Sequence, residues 1–482
     1  MPSLVSLRRF VPLFGLILLW LGAIAAVPAA AQVADPNDPN APVDPNDPNN
    51  PNNLAASVGG VLVDADGVVQ MRSFADPTGQ VHRQRAAAAR ASLDPKLATR
   101  SPQRKISLTR LETALKQKLA AGGQPTDEMR YLAGLTRIQY IFFYPETGDI
   151  VLAGPAEGFA ADMAGRIRGI DSGHPVLQLD DLIVALRAFF GDQARNAPLI
   201  SVSIDPTQEG LANMQRFLQQ VGSRVNPGQT RFIVNGLRQS LGLQTIQLTG
   251  VPPTSHFAQV LVEADYRMKL IGIGLEKPGV KMASWTDRSA RSGGSRNALQ
   301  RWYFVPDYEC LRVSEDELAA ELVGNGVKLI SADELVSVDG SRQEAATVDR
   351  ASKAFTDDFT RNYAAIARRS PVFTELRNII DLSIAAAFLA HHKLPGKAEW
   401  KMETFLDEGA YAVETLNVPK QVDSAVASVW RGNRLMTPIG GGVRVQPRKA
   451  LDKAQVDLEG TVAKTRETVD LKNLAAGQWW WD

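Results

Sequence analysis

Apolar residues along this chain recur at two spacings, and the switching between them lays out its elements. Gly60-Val61-Leu62-Val63 and Val68-Val69-Gln70-Met71 flank Asp66-Gly67, a pair suited to positive φ, and predict a β-hairpin. Leu108 to Leu119 predicts a short amphipathic helix. Ile138 to Tyr144 and Ile150 to Ala153 surround Pro145-Glu146-Thr147-Gly148-Asp149 and predict a second hairpin. Asp180 or Asp181 caps a helix whose apolar face is Leu182, Ile183, Leu186, Phe189 and Phe190. Leu199 to Ile204 follows as a strand. Asp205-Pro206-Thr207-Gln208 then starts a helix, with Asp at the cap, Pro first and Gln third. Its inward face is Leu211, Met214, Leu218 and Val221. Gln244 to Leu248 is a strand. Pro253-Thr254 opens a helix with Phe257, Val260, Leu261, Ala264 and Met268 inward, and Leu270 to Leu275 returns as strand. Trp302 to Leu311 reads as strand as well.

From Ala346 the period turns helical, with Val348, Phe355, Phe359 and Ile366 on one stripe. Ser370-Pro371 starts a second helix through about Ala390. Between Ile379 and Leu389 it is apolar almost all round, and a helix without a polar face is buried. The stretch from Gln421 is irregular, contains Gly440-Gly441-Gly442-Val443-Arg444-Val445, and ends in Trp479-Trp480-Trp481. These elements predict an α+β fold. An N-terminal hairpin and basic, Ala-rich connector (58–105) lead into a mixed α/β body of hairpins and β-α-β units (106–345). A helical hairpin (346–420) and an irregular tail (421–482) complete it. The connector, with Lys/Arg in excess, suits a solvated helix more than a contact with an anionic surface.

The chain opens differently. Arg8 and Arg9 precede an apolar stretch from Phe10 to Val27, and Ala29-Ala30-Ala31 offers small residues where a signal peptidase reads them. Residues 1–31 therefore read as a signal peptide, with export and a mature start near Gln32. The rival is an uncleaved anchor, since the stretch nears the length that spans a bilayer. Residues 32–57 are rich in Asp, Pro and Asn. Proline at short intervals removes donors and prevents helix, so this is a disordered spacer. Calcium binding by its aspartates lacks the glycine turn and bidentate acid of a calcium loop.

Composition narrows the chemistry. A net charge of +1 gives no global pull toward nucleic acid. The single cysteine, Cys310, rules out an internal disulfide and every Cys-rich metal site. It reads as a small buried hydrophobe, the alternative being a nucleophile.

The five histidines, His82, His174, His256, His391 and His392, form no zinc-binding pair on a helix, so no metal or other cofactor is expected. No nucleophile elbow and no phosphate loop occurs, and Gly272-Ile273-Gly274 runs into Pro278 where a dinucleotide fingerprint needs a helix. His256, Glu263 and Arg267 fall within about forty degrees of one another on their helix. His256 with Glu263 is the one acid–base candidate. Its bland reading is a solvated helix side with a Glu263–Arg267 pair. Arg288, Arg291 and Arg296, in a Gly/Ser/Arg loop, are candidates to clamp an anion. Trp479, Trp480 and Trp481 are candidates to dock a partner or to cover their own body. His391-His392 complement a helix C-terminus.

The strings Ile150-Val151-Leu152-Ala153-Gly154-Pro155-Ala156-Glu157-Gly158, Ser203 to Leu211 and Phe257 to Lys269 resemble an uncharacterised family of exported planctomycete proteins built on a domain of unknown function, number 1598. The likeness runs from Val58 to Pro447. It implies export and a shared architecture, and brings no activity. Two functions follow as expectations. One is a non-enzymatic envelope or secreted protein that binds a macromolecule or assembles. The other is a hydrolase of unfamiliar type using His256 and Glu263.

Overall fold

The computed structural model describes residues 58–74, 80–191, 199–222, 227–289, 298–332, 334–336, 342–344, 349–426, 429–431, 434–436 and 439–482. All of them lie in the unit formed by residues 45–482. The predicted signal peptide and spacer fall outside the described residues, as do Arg291 and Arg296.

Along the chain the first strands are β1 (Val58–Val63), β2 (Val68–Phe74), β3 (Ser101–Ser107), β4 (Tyr140–Tyr144), β5 (Asp149–Ala156), β6 (Phe159–Ala161) and β7 (Ile167–Gly169). The middle supplies β8 (Ile200–Asp205), β9 (Leu243–Thr249), β10 (Ala298–Pro306), β11 (Leu311–Val313), β12 (Ala319–Leu322), β13 (Val327–Ser331), β14 (Glu334–Val336) and β15 (Arg342–Glu344). The last are β16 (Gln421–Asp423), β17 (Val429–Arg431), β18 (Arg434–Met436), β19 (Ile439–Val445), β20 (Gln455–Val456) and β21 (Trp480–Trp481). The principal helices are α1 (Leu108–Ala120), α2 (Leu179–Phe190), α3 (Gln208–Val221), α4 (Thr230–Leu241), α5 (His256–Gly272), α6 (Arg350–Arg361) and α7 (Pro371–His391).

The fold is α+β, built on two mixed sheets. The larger has the order β1-β2-β16-β9-β8-β19-β10-β14-β15, with β13 also paired to β10. The smaller has the order β20-β11-β12-β4-β5-β3-β21. Both predicted hairpins form, and each turn uses a glycine at positive φ: Gly67 (87°) and Gly148 (69°). The Asp64 carboxylate accepts from the backbone N–H of Asp66 and Val68, which fixes the first turn.

Several boundaries move for identifiable reasons. Asp205 does not cap α3; Thr207 does, accepting from the Gly210 N–H at 2.9 Å, while Asp205 ends β8. Asp180 and Asp181 sit in the first turn of α2 rather than at its cap. Leu270 to Leu275 is no strand. α5 runs on to Gly272, where a Cβ would lie 1.9 Å from the Trp302 ring, so the glycine permits close helix–sheet packing. β8 and β9 are antiparallel neighbours, and α3 and α4 between them form a helical pair with its own small core. The sequence pattern did not point to α4.

α7 packs against α2 and α5, which fits its all-round apolar character. Among the described residues no helix is long and apolar enough to cross a membrane. Cys310 lies in the turn before β11, 2% exposed, and burial pushes its thiol up to about 12. A thiol so shielded has neither the access nor the ionisation of a nucleophile.

The stretch after Gln421 is more ordered than its pattern suggests. β19 lies in the middle of the larger sheet, between β8 and β10. β21 closes one edge of the smaller sheet, antiparallel to β3, with Trp480 opposite Ile106. Trp479 and Trp481 are buried, and Trp480 lies over the Arg104 guanidinium at 4.6 Å and donates to Glu128. The three tryptophans thus pack against their own chain.

Candidate functional site

The strand register brings a strongly polar concave surface together. Across four adjacent strands, Arg301 is level with Gly440, and Asp205 with Thr245. In the next row of the same face Tyr303 pairs with Gly442, Gly442 with Ser203, and Ser203 with Gln247. A third row holds Arg444, Ser201 and Thr249. Alternate residues share a sheet face, so these rows form one surface. The intervening residues, Trp302, Phe304, Val202, Ile204 and Val443, are buried on the opposite side, where α5 packs.

Glycine shapes this surface into a trench. A Cβ on Gly440 would sit 2.7 Å from Asp205 Oδ1 and 3.5 Å from Arg301 Cγ. Its absence lets the Arg301 side chain cross β19 and donate to Asp205 Oδ2 at 2.8 Å. Tyr303 lies beside Gly442, with the Arg301 and Arg444 guanidinium groups 5.3 Å and 5.0 Å from its ring centre. Such cation–π contacts hold the guanidinium planes without using up their N–H donors. Arg444 is exposed. Thr207 and Gln208, at the start of α3, and Gln446 complete a concavity of about 780 Å³. Its lining is dominated by hydroxyl, amide and guanidinium groups.

Behind the trench, α5 pins the end of β8. Lys269 donates to the Ile204 carbonyl at 2.7 Å and to Asp265 Oδ2 at 2.8 Å. Both residues are fully buried. Burial, outweighing the neighbouring ammonium, pushes the Asp265 carboxyl up to about 6, and burial lowers the Lys269 pKa.

The predicted acid–base pair resolves into two separate structures. The His256 ring meets Asp181 Oδ2 through Nδ1 at 2.9 Å and the Gln178 amide through Nε2 at 3.3 Å. Glu263 accepts from Arg166 and from Arg267, the latter at 3.3 Å. The expected i,i+4 pair exists, but Glu263 and Arg267 are 2% and 4% exposed. This is a buried network rather than a solvated helix side. Arg166 also reaches Glu375 on α7, and Arg267 reaches Glu276 at 2.8 Å, so charges alternate along a chain of five residues.

Arg288 is engaged with Asp358 on α6 and with the Ala283 carbonyl. His392 meets Glu317 at 3.1 Å beside His391, while the side chain of His82 lies outside the described residues. Among the described residues no group of three or more His, Cys, Asp or Glu is arranged to hold a metal ion.

His256 gives a pH prediction. Burial disfavours its cation, but the Asp181 carboxylate overrides that and raises the pKa above the ordinary value. A raised folded pKa adds stability fully present below the unfolded pKa, near 6.5, and lost as pH rises through the folded value. In urea unfolding between about pH 5 and 8, the stability gap between wild type and Asp181→Asn is therefore largest at the acidic end and narrows upward. A gap that widens with pH would contradict the assignment.

Residues 202–285 match a family model described as "Protein of unknown function (DUF1598)". The matched segment spans β8, α3, α4, β9 and α5, and so supplies two strands of the trench and the helix behind it. No curated protein and no solved structure matches the chain.

Proposed function

We propose that this is an exported, non-enzymatic binding protein that holds a polyhydroxylated, acidic ligand, of the kind an envelope polysaccharide presents, on the open face of its larger sheet. The observation that carries this reading is the trench itself: about 780 Å³ walled by Ser, Thr, Gln and Asp side chains around two guanidinium groups. Hydroxyl and amide groups donate and accept, which suits sugar hydroxyls, and guanidinium groups suit carboxylates. The small apolar share of the lining argues against a lipid or a drug-like hydrophobe. Export rests on the signal-peptide pattern of residues 1–31 and on the family resemblance. The binding reading is preferred to the hydrolase alternative because His256 is hydrogen-bonded to Asp181 and Gln178, and Glu263 to Arg166 and Arg267, rather than to each other.

Affinity electrophoresis tests the reading. The mature chain should be retarded in gels containing polygalacturonate and run freely in gels containing neutral dextran. Arg444→Glu reverses the one exposed cation of the trench and should abolish at least about nine-tenths of the retardation, equivalent to roughly 1.4 kcal/mol. Arg216→Glu, an exposed residue on α3, makes the same charge change outside the trench and should leave retardation in place. No retardation of the wild type, or equal loss in both variants, refutes a specific trench site.

A further inference from the structure

The trench does not stop at β9. Gln421 on β16 stands opposite Thr245, so the row of trench side chains continues onto the next strand. Thr245 lines the trench and also a second hollow of about 450 Å³, walled by Ile246, Leu248, Pro253, Val418, Pro419 and Lys420. The two concavities therefore meet at one threonine. β10, β19, β8, β9 and β16 are successive strands, so the row from Arg301 to Gln421 is about 19 Å long at ~4.8 Å per strand. That is several times the width of one sugar ring.

The local chain explains why a hollow opens here. β16 is in register with β9 only from Leu243 to Thr245. One step on, Ile246 donates its N–H to the Lys420 carbonyl at 2.8 Å, but Lys420 gives its own N–H to the Gly67 carbonyl, also at 2.8 Å. Pro419 has no N–H to offer a strand. The segment before β16 thus leans on the β1–β2 turn, and Gly67 permits it: a Cβ there would lie 2.8 Å from the Val418 carbonyl and 2.9 Å from the Lys420 stem. Beside Leu248 the edge of β9 borders the hollow instead of a strand.

The two concavities differ in chemistry. The second is walled by aliphatic and proline side chains, and among the described residues that line it Lys420 alone is charged, and is exposed. Of the acids in the neighbouring turn, Asp64 accepts from the N–H groups of Asp66 and Val68, and Asp66 is exposed. A sugar ring has a C–H face as well as hydroxyls, and an apolar wall with one cation suits the C–H face and carboxylate of a uronate unit. We propose that the trench and the second hollow form one groove that holds an internal stretch of an anionic polysaccharide, the trench arginines meeting carboxylates at one end and Lys420 at the other. The inference rests on the reading of the trench as a polysaccharide site and adds that a single unit or a chain end is not what the site recognises.

Titration calorimetry of the full mature chain with galacturonate oligomers of defined length tests it. From trimer to hexamer the dissociation constant should fall at least about thirtyfold, beyond the several-fold gain that extra binding registers give by counting alone. Lys420→Glu, at an exposed position, should raise the hexamer constant at least about tenfold and leave the trimer constant within about twofold, with the thermal melt unchanged. Arg444→Glu should weaken both oligomers. A wild type that gains only several-fold with length overturns the extended groove, as does a Lys420→Glu variant that binds hexamer normally or loses trimer and hexamer alike. In each of those cases trimer binding that Arg444→Glu abolishes leaves the trench reading standing. No binding of any oligomer overturns both.

Discussion

Replacing Arg104 with Met is expected to cost about 4 kcal/mol of stability or more, among the largest effects available to one substitution in this protein. Its guanidinium is 0% exposed and fully occupied. Nη1 donates to the Leu97 and Ala133 carbonyls, Nη2 to those of Lys96 and Thr99, and Nε and Nη2 form a two-point contact with Asp482 at 2.8 and 3.1 Å. Methionine fills part of the volume but leaves the carbonyls without donors, each worth about 1–3 kcal/mol where buried. It also releases Asp482 and the Trp480 ring that covers the guanidinium. Deleting residues 478–482 attacks the same assembly from the other side. It removes β21 from the edge of the smaller sheet, uncovers the surface under Trp479 and Trp481, and leaves Arg104 buried without its carboxylate. Because both changes break one unit, their effects should not add. The combined variant should be close to the worse single variant, within about 1 kcal/mol. Chemical denaturation of the three variants measures this. Full additivity, or a loss under about 1 kcal/mol for Arg104→Met, would show that the tail is not held as a unit. The Asp482 carboxyl is held below its usual range by Arg104 and Ser101 despite partial burial. The contact therefore stabilises above the unfolded carboxylate pKa and weakens as pH falls through the folded value.

Much of the framework was legible because its determinants are local. Asp66-Gly67 demanded a turn wherever the chain went next, and the apolar run from Ile379 to Leu389 demanded burial on all sides. The opposite holds for Gly440-Gly441-Gly442. Three glycines in a row carry no strand propensity, and nothing nearby in sequence explains them. They make sense only beside Trp302, whose backbone a Cβ on Gly441 would strike at 1.9 Å, and beneath Arg301 on its way to Asp205. The trench went unread for the same reason. Ser201, Ser203 and Asp205 alternate visibly, as do Arg301 and Tyr303, but one polar strand face is ordinary until the register aligns it with others. On α5 the Glu263–Arg267 pair was visible as an i,i+4 spacing, whereas Asp265–Lys269, at the same spacing, went unread. The burial of both was not legible, since it depends on Arg166, Glu276 and the Ile204 carbonyl, which come from distant segments.

That buried network yields the second large expected effect. Arg166 follows the β6–β7 turn and joins Glu263 of α5 to Glu375 of α7, with the acids 2% and 5% exposed. Arg166→Met should destabilise the protein by about 3–5 kcal/mol, because it leaves two carboxylates in a low-dielectric interior, Glu375 without its arginine and Glu263 with Arg267. The attraction between the original partners is a poor guide to that number, since taking three charges out of water has already consumed most of it. Neutralising the stranded acids should therefore recover what removing Arg166 loses. The triple variant Arg166→Met, Glu263→Gln, Glu375→Gln is expected within about 2 kcal/mol of wild type, although it lacks every charged hydrogen bond of the Arg166 junction. Glu263→Gln alone should fall between the two, since Arg166 keeps Glu375 and Arg267 keeps Glu276 at 2.8 Å. Urea unfolding of the series at one pH decides the matter. If the triple variant is no more stable than Arg166→Met, the cost lies in lost packing at the arginine and not in the carboxylates it leaves behind. If Arg166→Met itself costs under about 1 kcal/mol, the junction is solvated and its carboxylates carry no buried-charge penalty.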